Sequence, residues 1–218
     1  MATESPRRTL AALGLSPRKS LGQNFLADRN VAGKIVALAR SFPAPYLEIG
    51  PGLGALTSLL AEAGATVVAV ELDRGLAAHL RDRFAGTSVE ILETDFLAVP
   101  EQEWRSRFPA GGTVVGNLPY SISSPVVLRL IELRDLFPRA VLMLQREVVD
   151  RMAAEPGTPE YGRLSVMLQW RYRIDTVTVS KSIERQSLGA FSVADTYLGG
   201  MSRVTTGTCP TGYPTTIL

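Results

Sequence analysis

The chain has one cysteine, Cys209, and one histidine, His79, among 218 residues. A single cysteine excludes an internal disulfide and a cysteine-based metal cluster. A single histidine weighs against a histidine metal site and against a Ser-His-Asp triad, so no metal is expected. No apolar run approaches the roughly 20 residues needed to cross a bilayer. The arginines near the N-terminus, Arg7 and Arg8, precede no long apolar segment of the kind a signal peptide carries. Together these absences predict a cytoplasmic chain with no membrane partner.

What remains is ordinary for a globular protein: 45% hydrophobic and 20% charged residues, with length enough for one domain and a real core. The net charge of +2 is unevenly spread. Residues 1–40 hold Arg7, Arg8, Arg18, Lys19, Arg29, Lys34 and Arg40 against Glu4 and Asp28. Residues 1–20 therefore read as a flexible basic arm on a near-neutral body, suited to a polyanion, although many such arms are only solvated.

From Asp28, a plausible N-cap, the spacing of Val31, Ile35, Leu38 and Ala39 predicts a helix over about 29–40. A regular alternation then begins. Strands are expected at Tyr46–Ile49, Thr66–Val70, Val89–Leu92, Thr113–Gly116 and Ala140–Leu144. Helices are expected over 55–63, 74–84, 146–154 and 162–170, with another capped by Ser124 and opened by Pro125. Such alternation predicts an α/β architecture, a mostly parallel, doubly wound Rossmann-like sheet over 21–179.

Strand ends in such a sheet carry the chemistry. Gly50, Gly52 and Gly54 follow the first strand, where the chain turns sharply and its backbone approaches a ligand. Glu71 ends the second strand, 21 residues past Gly50, where a carboxylate accepts from both hydroxyls of a ribose. This pair suits an adenosine-containing ligand, either a dinucleotide or S-adenosylmethionine. Three further features favour the latter. Glu48 stands near a cationic end, Asp95 ends the third strand where an adenine amine can donate, and Asn117 to Tyr120 suits an acceptor amine. In Gly116-Asn117-Leu118-Pro119-Tyr120, the Asn117 carboxamide and carbonyls outside any helix ladder would hold an amino group while Tyr120 lies on a flat ring. The plainer reading is a strand-ending turn with a packed Tyr120, a capping Asp95 and a solvated Glu48.

Six segments occur in order: Leu21-Gly22-Gln23-Asn24-Phe25-Leu26, Glu48-Ile49-Gly50-Pro51-Gly52, Glu71-Leu72-Asp73, Asn117-Leu118-Pro119-Tyr120, Gln145-Arg146-Glu147-Val148 and Tyr161-Gly162-Arg163-Leu164-Ser165-Val166. Over roughly 16–179 they resemble the small-subunit ribosomal RNA adenine N6,N6-dimethyltransferases, the kasugamycin-sensitivity family. The resemblance implies the S-adenosylmethionine-dependent methyltransferase fold. It implies cofactor contacts at Asn24, Leu26, Gly50, Glu71, Asp95 and Asn117, to which the strand-end reading adds Glu48 and Gly52. It also implies an adenine site at Asn117, Leu118, Pro119 and Tyr120, and a partner in small-subunit ribosomal RNA or an immature small subunit, met by a monomer. Related large-subunit RNA methyltransferases share the early asparagine motif and rank second. A non-catalytic RNA-binding or assembly factor is the rival from another class, and a nicotinamide oxidoreductase a distant third.

After Val179 the resemblance stops. Residues 180–218 carry only Lys181, Glu184, Arg185, Asp195 and Arg203 as charges, and 17 of the 39 are Ser, Thr or Gly. The family's antiparallel closing strand and its C-terminal helical domain are expected to be absent. That expectation makes 180–218 an atypical, disordered tail, leaves unpaired edges beside Arg171–Val179, and makes the chain weakly stable or inactive.

Overall fold

Two short runs buried on both faces, β1 (Tyr46–Ile49) and β2 (Val67–Glu71), lie at the heart of the sheet. Burial on both sides is what helices on each face of a parallel sheet impose, and it explains why neither run alternates. The structure is a computed structural model that describes residues 5–16, 25–177 and 186–193. β3 (Val89–Glu93), β4 (Thr113–Asn117) and β5 (Arg139–Gln145) join in parallel register. The full order is β3-β2-β1-β4-β5, then β7 (Gln186–Val193), then β6 (Tyr172–Val177).

The first helices cover one face. α2 (Arg29–Ala39), α3 (Ala55–Glu62) and α4 (Arg74–Arg83) bury Ile35, Leu56, Leu60 and Leu80 against it. The opposite face holds α5 (Glu101–Arg107), α6 (Tyr120–Glu132), α7 (Arg146–Ala153) and α8 (Arg163–Gln169). There Trp104, Phe108 and Phe137 form an aromatic knot, with the rings of Phe108 and Phe137 edge to face at 5.0 Å. Among the described residues no helix is long and apolar enough to cross a membrane.

Four differences from the sequence reading have physical reasons. The arm expected to be flexible contains α1 (Pro6–Ala12), capped by Ser5, with Pro6 in its first turn and Leu10 buried. α5 lacks an apolar stripe. Its single fully buried residue is Trp104, and Glu101–Arg105 and Glu103–Arg107 pairs line its exposed side. α6 begins at Tyr120 rather than after Ser124, so Pro125 lies inside it. Burial of Val126, Val127 and Leu130 outweighs the one ladder bond that Pro125 cannot donate. Finally, the closing strand expected to be missing is present. β7 runs antiparallel to both β5 and β6, so the facing sides of β5 and β6 are paired, and β6 ends the sheet. Backbone donors and acceptors are the same for every residue, so a strand flanked on both sides needs little side-chain pattern. Residues 178–185 and 194–218, where the rest of the tail reading falls, lie outside the described residues.

Candidate active site

Ile49 pairs with Gly116, so Gly50, the first residue beyond β1, and Asn117, the last of β4, emerge side by side. This is the place where strand order reverses, with α3 departing to one face and α6 to the other. Crevices of open α/β sheets form at such points. Gly116 is required there, because a Cβ would stand 2.9 Å from the Ile49 carbonyl oxygen.

The loop after β1 turns with Gly50, Gly52 and Gly54 all in the left-handed region, at φ 67°, 59° and 79°. A Cβ at Gly52 would press on the Phe25 ring at 3.2 Å. Glu71 ties this loop to the end of β2. Its Oε2 accepts from the Gly52 N–H at 3.0 Å and its Oε1 from the Asp73 N–H at 2.9 Å. A carboxylate has about four acceptor positions, so these amides leave acceptor capacity for a ligand. Burial raises the Glu71 pKa, while the Asp73 and Gly52 amides oppose that rise. Asp73 itself caps α4, accepting from Gly75 and Leu76. Leu72 between them is half exposed.

Two connected hollows open beside these residues. The larger, about 900 Å³ and open to solvent, is bounded by Gly50, Glu71, Leu72, Asp95, Asn117 and Pro119, with Phe96 and Ile122 as apolar wall. The smaller, about 330 Å³, is bounded by Leu26, Glu48, Gly50, Gly52 and Asn117. Phe25 borders both.

Glu48 is buried at 1% exposure, which corrects the solvated alternative. Its Oε2 accepts from the Thr57 hydroxyl at 2.7 Å. Burial pushes its carboxyl up to about 7, partly opposed by the Thr57 bonds, with Glu71 adding a smaller rise. A cation in the small hollow would relieve that cost. Asp95 faces the large hollow and also accepts from the Leu97 N–H at 2.9 Å, so the capping reading and the ligand reading both hold a lone pair.

The second motif is partly as expected. Asn117 borders both hollows and Pro119 the larger. Leu118 turns inward at 3% exposure, and its N–H donates to the Met143 carbonyl. Tyr120, 55% exposed, is the first residue of α6 and is not among the residues bounding either hollow. One expectation is corrected. The Pro119 carbonyl is committed to the helix, accepting from the Ile122 N–H at 3.2 Å and the Ser123 hydroxyl at 2.9 Å, because Pro119 is the N-cap of α6. Asn24 lies outside the described residues. Sequence reasoning gave no role to Leu72, Phe96 or Ile122, and gave Phe25 only a place in the Leu21–Leu26 segment expected to fold over the cofactor. Their signal is position, just before or after a strand end or glycine turn, since apolar type alone marks them as core. The remaining motifs are architectural: Gln145 caps α7, and the Ser165 hydroxyl donates to the Arg151 carbonyl while Leu164 and Leu168 are buried.

Residues 14–189 match the family described as Ribosomal RNA adenine dimethylase. The chain is 52% identical over 167 residues to Ribosomal RNA small subunit methyltransferase A of Geobacter sulfurreducens, covering 74% of this chain and 59% of that protein. It is similar to the crystal structure of a dimethyladenosine transferase from Plasmodium falciparum, at 26% identity and a TM-score of 0.66, covering 81% of this chain and 66% of the other. The crystal structure of 23S rRNA methyltransferase ErmE matches at 29% identity and a TM-score of 0.64, covering 78% and 70%. This chain thus spans about 59% of the length of the Geobacter relative. With 176 consecutive residues covered by one family description and the strand-end motifs gathered at one crevice, the chain belongs to the ribosomal RNA adenine dimethylase family.

Proposed function

We propose that this chain transfers methyl groups from S-adenosylmethionine to N6 of adenines, two adjacent ones, in small-subunit ribosomal RNA. The observation that carries the reading is that Asn117 and the glycine turn border the same two hollows, so a donor and an acceptor amine share one space.

The residues present suit the cofactor. Glu71 and Asp95 offer acceptors in the large hollow for ribose hydroxyls and an adenine amine. Leu72 and Phe96 offer apolar faces for the purine. The small hollow pairs buried Glu48 with the start of α3, which no side chain caps, so it suits a group bearing both an ammonium and a carboxylate. Leu26 lines this hollow, and Asn24 joins the set by family resemblance.

When bound, S-adenosylmethionine supplies an electrophilic methyl group, and no metal is needed. The chain's task is to hold a weak nucleophile. An adenine amine has its lone pair delocalised into the ring. The Asn117 carboxamide oxygen accepts one N–H, and the Leu118 carbonyl takes the second, because the Pro119 oxygen already receives two donors. Holding both N–H groups orients the lone pair and stabilises the positive charge that develops on nitrogen. Tyr120, exposed at the start of α6, stacks on the unstacked base, a contact worth roughly 1–3 kcal/mol. The reading takes the chain to act as a monomer on an immature small subunit in the cytoplasm.

Labelled S-adenosylmethionine incubated with immature small subunits tests this. Label on two neighbouring adenines of the small-subunit RNA supports it. Label on large-subunit RNA would favour the alternative that the likeness to ErmE raises, and no label with retained RNA binding would favour an assembly factor. Asn117→Ala is expected to abolish transfer, a loss of at least about a hundredfold, while cofactor affinity by calorimetry stays within a few fold. Native-level transfer by the variant would refute the assignment.

A further inference from the structure

The glycine turn is held from the hollow side by Glu71, but it is also gripped from behind. Arg83, in the last turn of α4, lies outside both hollows and is solvent-exposed. Its two terminal nitrogens reach 30 and 25 residues back along the chain. Nη1 donates to the Leu53 carbonyl at 2.7 Å, and Nη2 donates to the Ser58 hydroxyl at 2.8 Å. Ser58 in turn donates its one hydroxyl proton to the Gly54 carbonyl at 2.5 Å. The directions are consistent, since a hydroxyl that gives its proton to one group can accept from another. Arg83 therefore holds two successive carbonyls of the turn, one directly and one through Ser58. The next residue, Phe84, and Leu80 one turn earlier fill the space where a Cβ at Gly54 would stand, at 3.1 and 3.0 Å. Arg83 also stacks over the Phe84 ring at 5.4 Å.

We infer that Arg83 is a positioning residue for the cofactor turn, acting from the outer side of α4 without touching ligand. The inference rests on the cofactor reading above. The turn has an unusual need for such a brace. Its three glycines sit in left-handed backbone conformations and give it no side chains of its own to lock it. A flexible glycine turn loses more entropy when a ligand orders it, and a brace removes that cost before the ligand arrives. A guanidinium suits the task because its rigid fork meets two acceptors at once, whereas an ammonium is a single point. Its place in the last turn of α4 also suits the helix dipole.

The test compares native protein with Arg83→Ala and Arg83→Lys by amide hydrogen exchange of peptides covering 50–60, S-adenosylmethionine affinity by calorimetry, and thermal melting. Arg83→Ala should speed exchange in 50–60 and weaken S-adenosylmethionine binding, each roughly tenfold, with melting almost unmoved because the side chain is exposed. Arg83→Lys should recover part of both losses. Native-like exchange in 50–60 for Arg83→Ala would overturn the inference. So would exchange raised equally across the whole protein with a matching fall in melting temperature, which marks a general structural role. If native protein binds no S-adenosylmethionine, the cofactor reading fails, and exchange in 50–60 alone decides whether Arg83 braces the turn.

Discussion

Glu48 places an ionisable group at 1% exposure, one residue before the end of a strand, with a threonine hydroxyl as its recorded partner. Its carboxyl titrates near 7 in the folded protein against an ordinary 4.5. Between those values the folded state keeps a proton that the unfolded chain has released. Stability therefore falls as pH rises through that window, and the penalty is complete above pH 7. Glu48→Gln keeps an acceptor for Thr57 and removes the charge. Urea unfolding should show the variant more stable than native at pH 8, by up to about 3 kcal/mol, and nearly equal at pH 4.5. Cofactor binding should move the opposite way. If Glu48 faces a cation, the variant loses affinity above pH 7, where native Glu48 is ionised, and the gap narrows toward pH 6. An affinity loss independent of pH would separate Glu48 from the cation. The sequence marked Glu48 as a ligand residue by its place before the glycines. It could not reveal the burial, because the helix and strands that exclude water from Glu48 come from distant parts of the chain.

At the scale of the element, periodicity located the parallel half of the sheet to within one or two residues and misread what lay around it. β1 was legible because Tyr46–Ile49 is a short run, apolar but for Glu48, abruptly ended by glycine. α5 and α1 were not, since each buries only one large side chain and neither shows a stripe. β7 was the largest miss. Its backbone pairs with Val141 of β5 on one side and Asp175 of β6 on the other at Ala190. Because both flanks are occupied, the Ala190 N–H has a ladder partner whichever way it points. Ala190→Pro should therefore remove one bond and wedge the strand, costing about 3 kcal/mol or more, seen as a clear drop in melting temperature. An unchanged melt would take β7 out of the sheet. The expectation of a weakly stable chain rested on the lack of this strand, and its presence weakens that argument.

Across the whole molecule, the proposed ligand should act as a global stabiliser, because the hollows unite residues from β1, β2, β4 and the loop after β3 with the start of α6. S-adenosylmethionine at a hundredfold excess over its Kd adds about 2.7 kcal/mol, which for a domain of this length is a rise of roughly 5–10 °C in melting temperature. Glu71→Gln, which leaves only one oxygen to serve the Gly52 and Asp73 amides and the ligand, should lose most of that rise. A full rise in the variant would remove Glu71 from the cofactor site. By itself the sequence determined the alternating architecture, the strand-end residues and the family, because these depend on local period and on short motifs whose spacing is preserved in the unfolded chain. Only the tertiary structure decided that Glu48 is dry, that the Pro119 carbonyl is spent on α6, that Arg83 reaches Leu53, and that β7 closes the sheet. The Pro119 contacts are local, to residues three and four places on, and were hidden only because the start of α6 was placed too late. Each of the others is a contact between segments distant in sequence, or a loss of water that several such segments produce together, and neither leaves a mark on the order of residues.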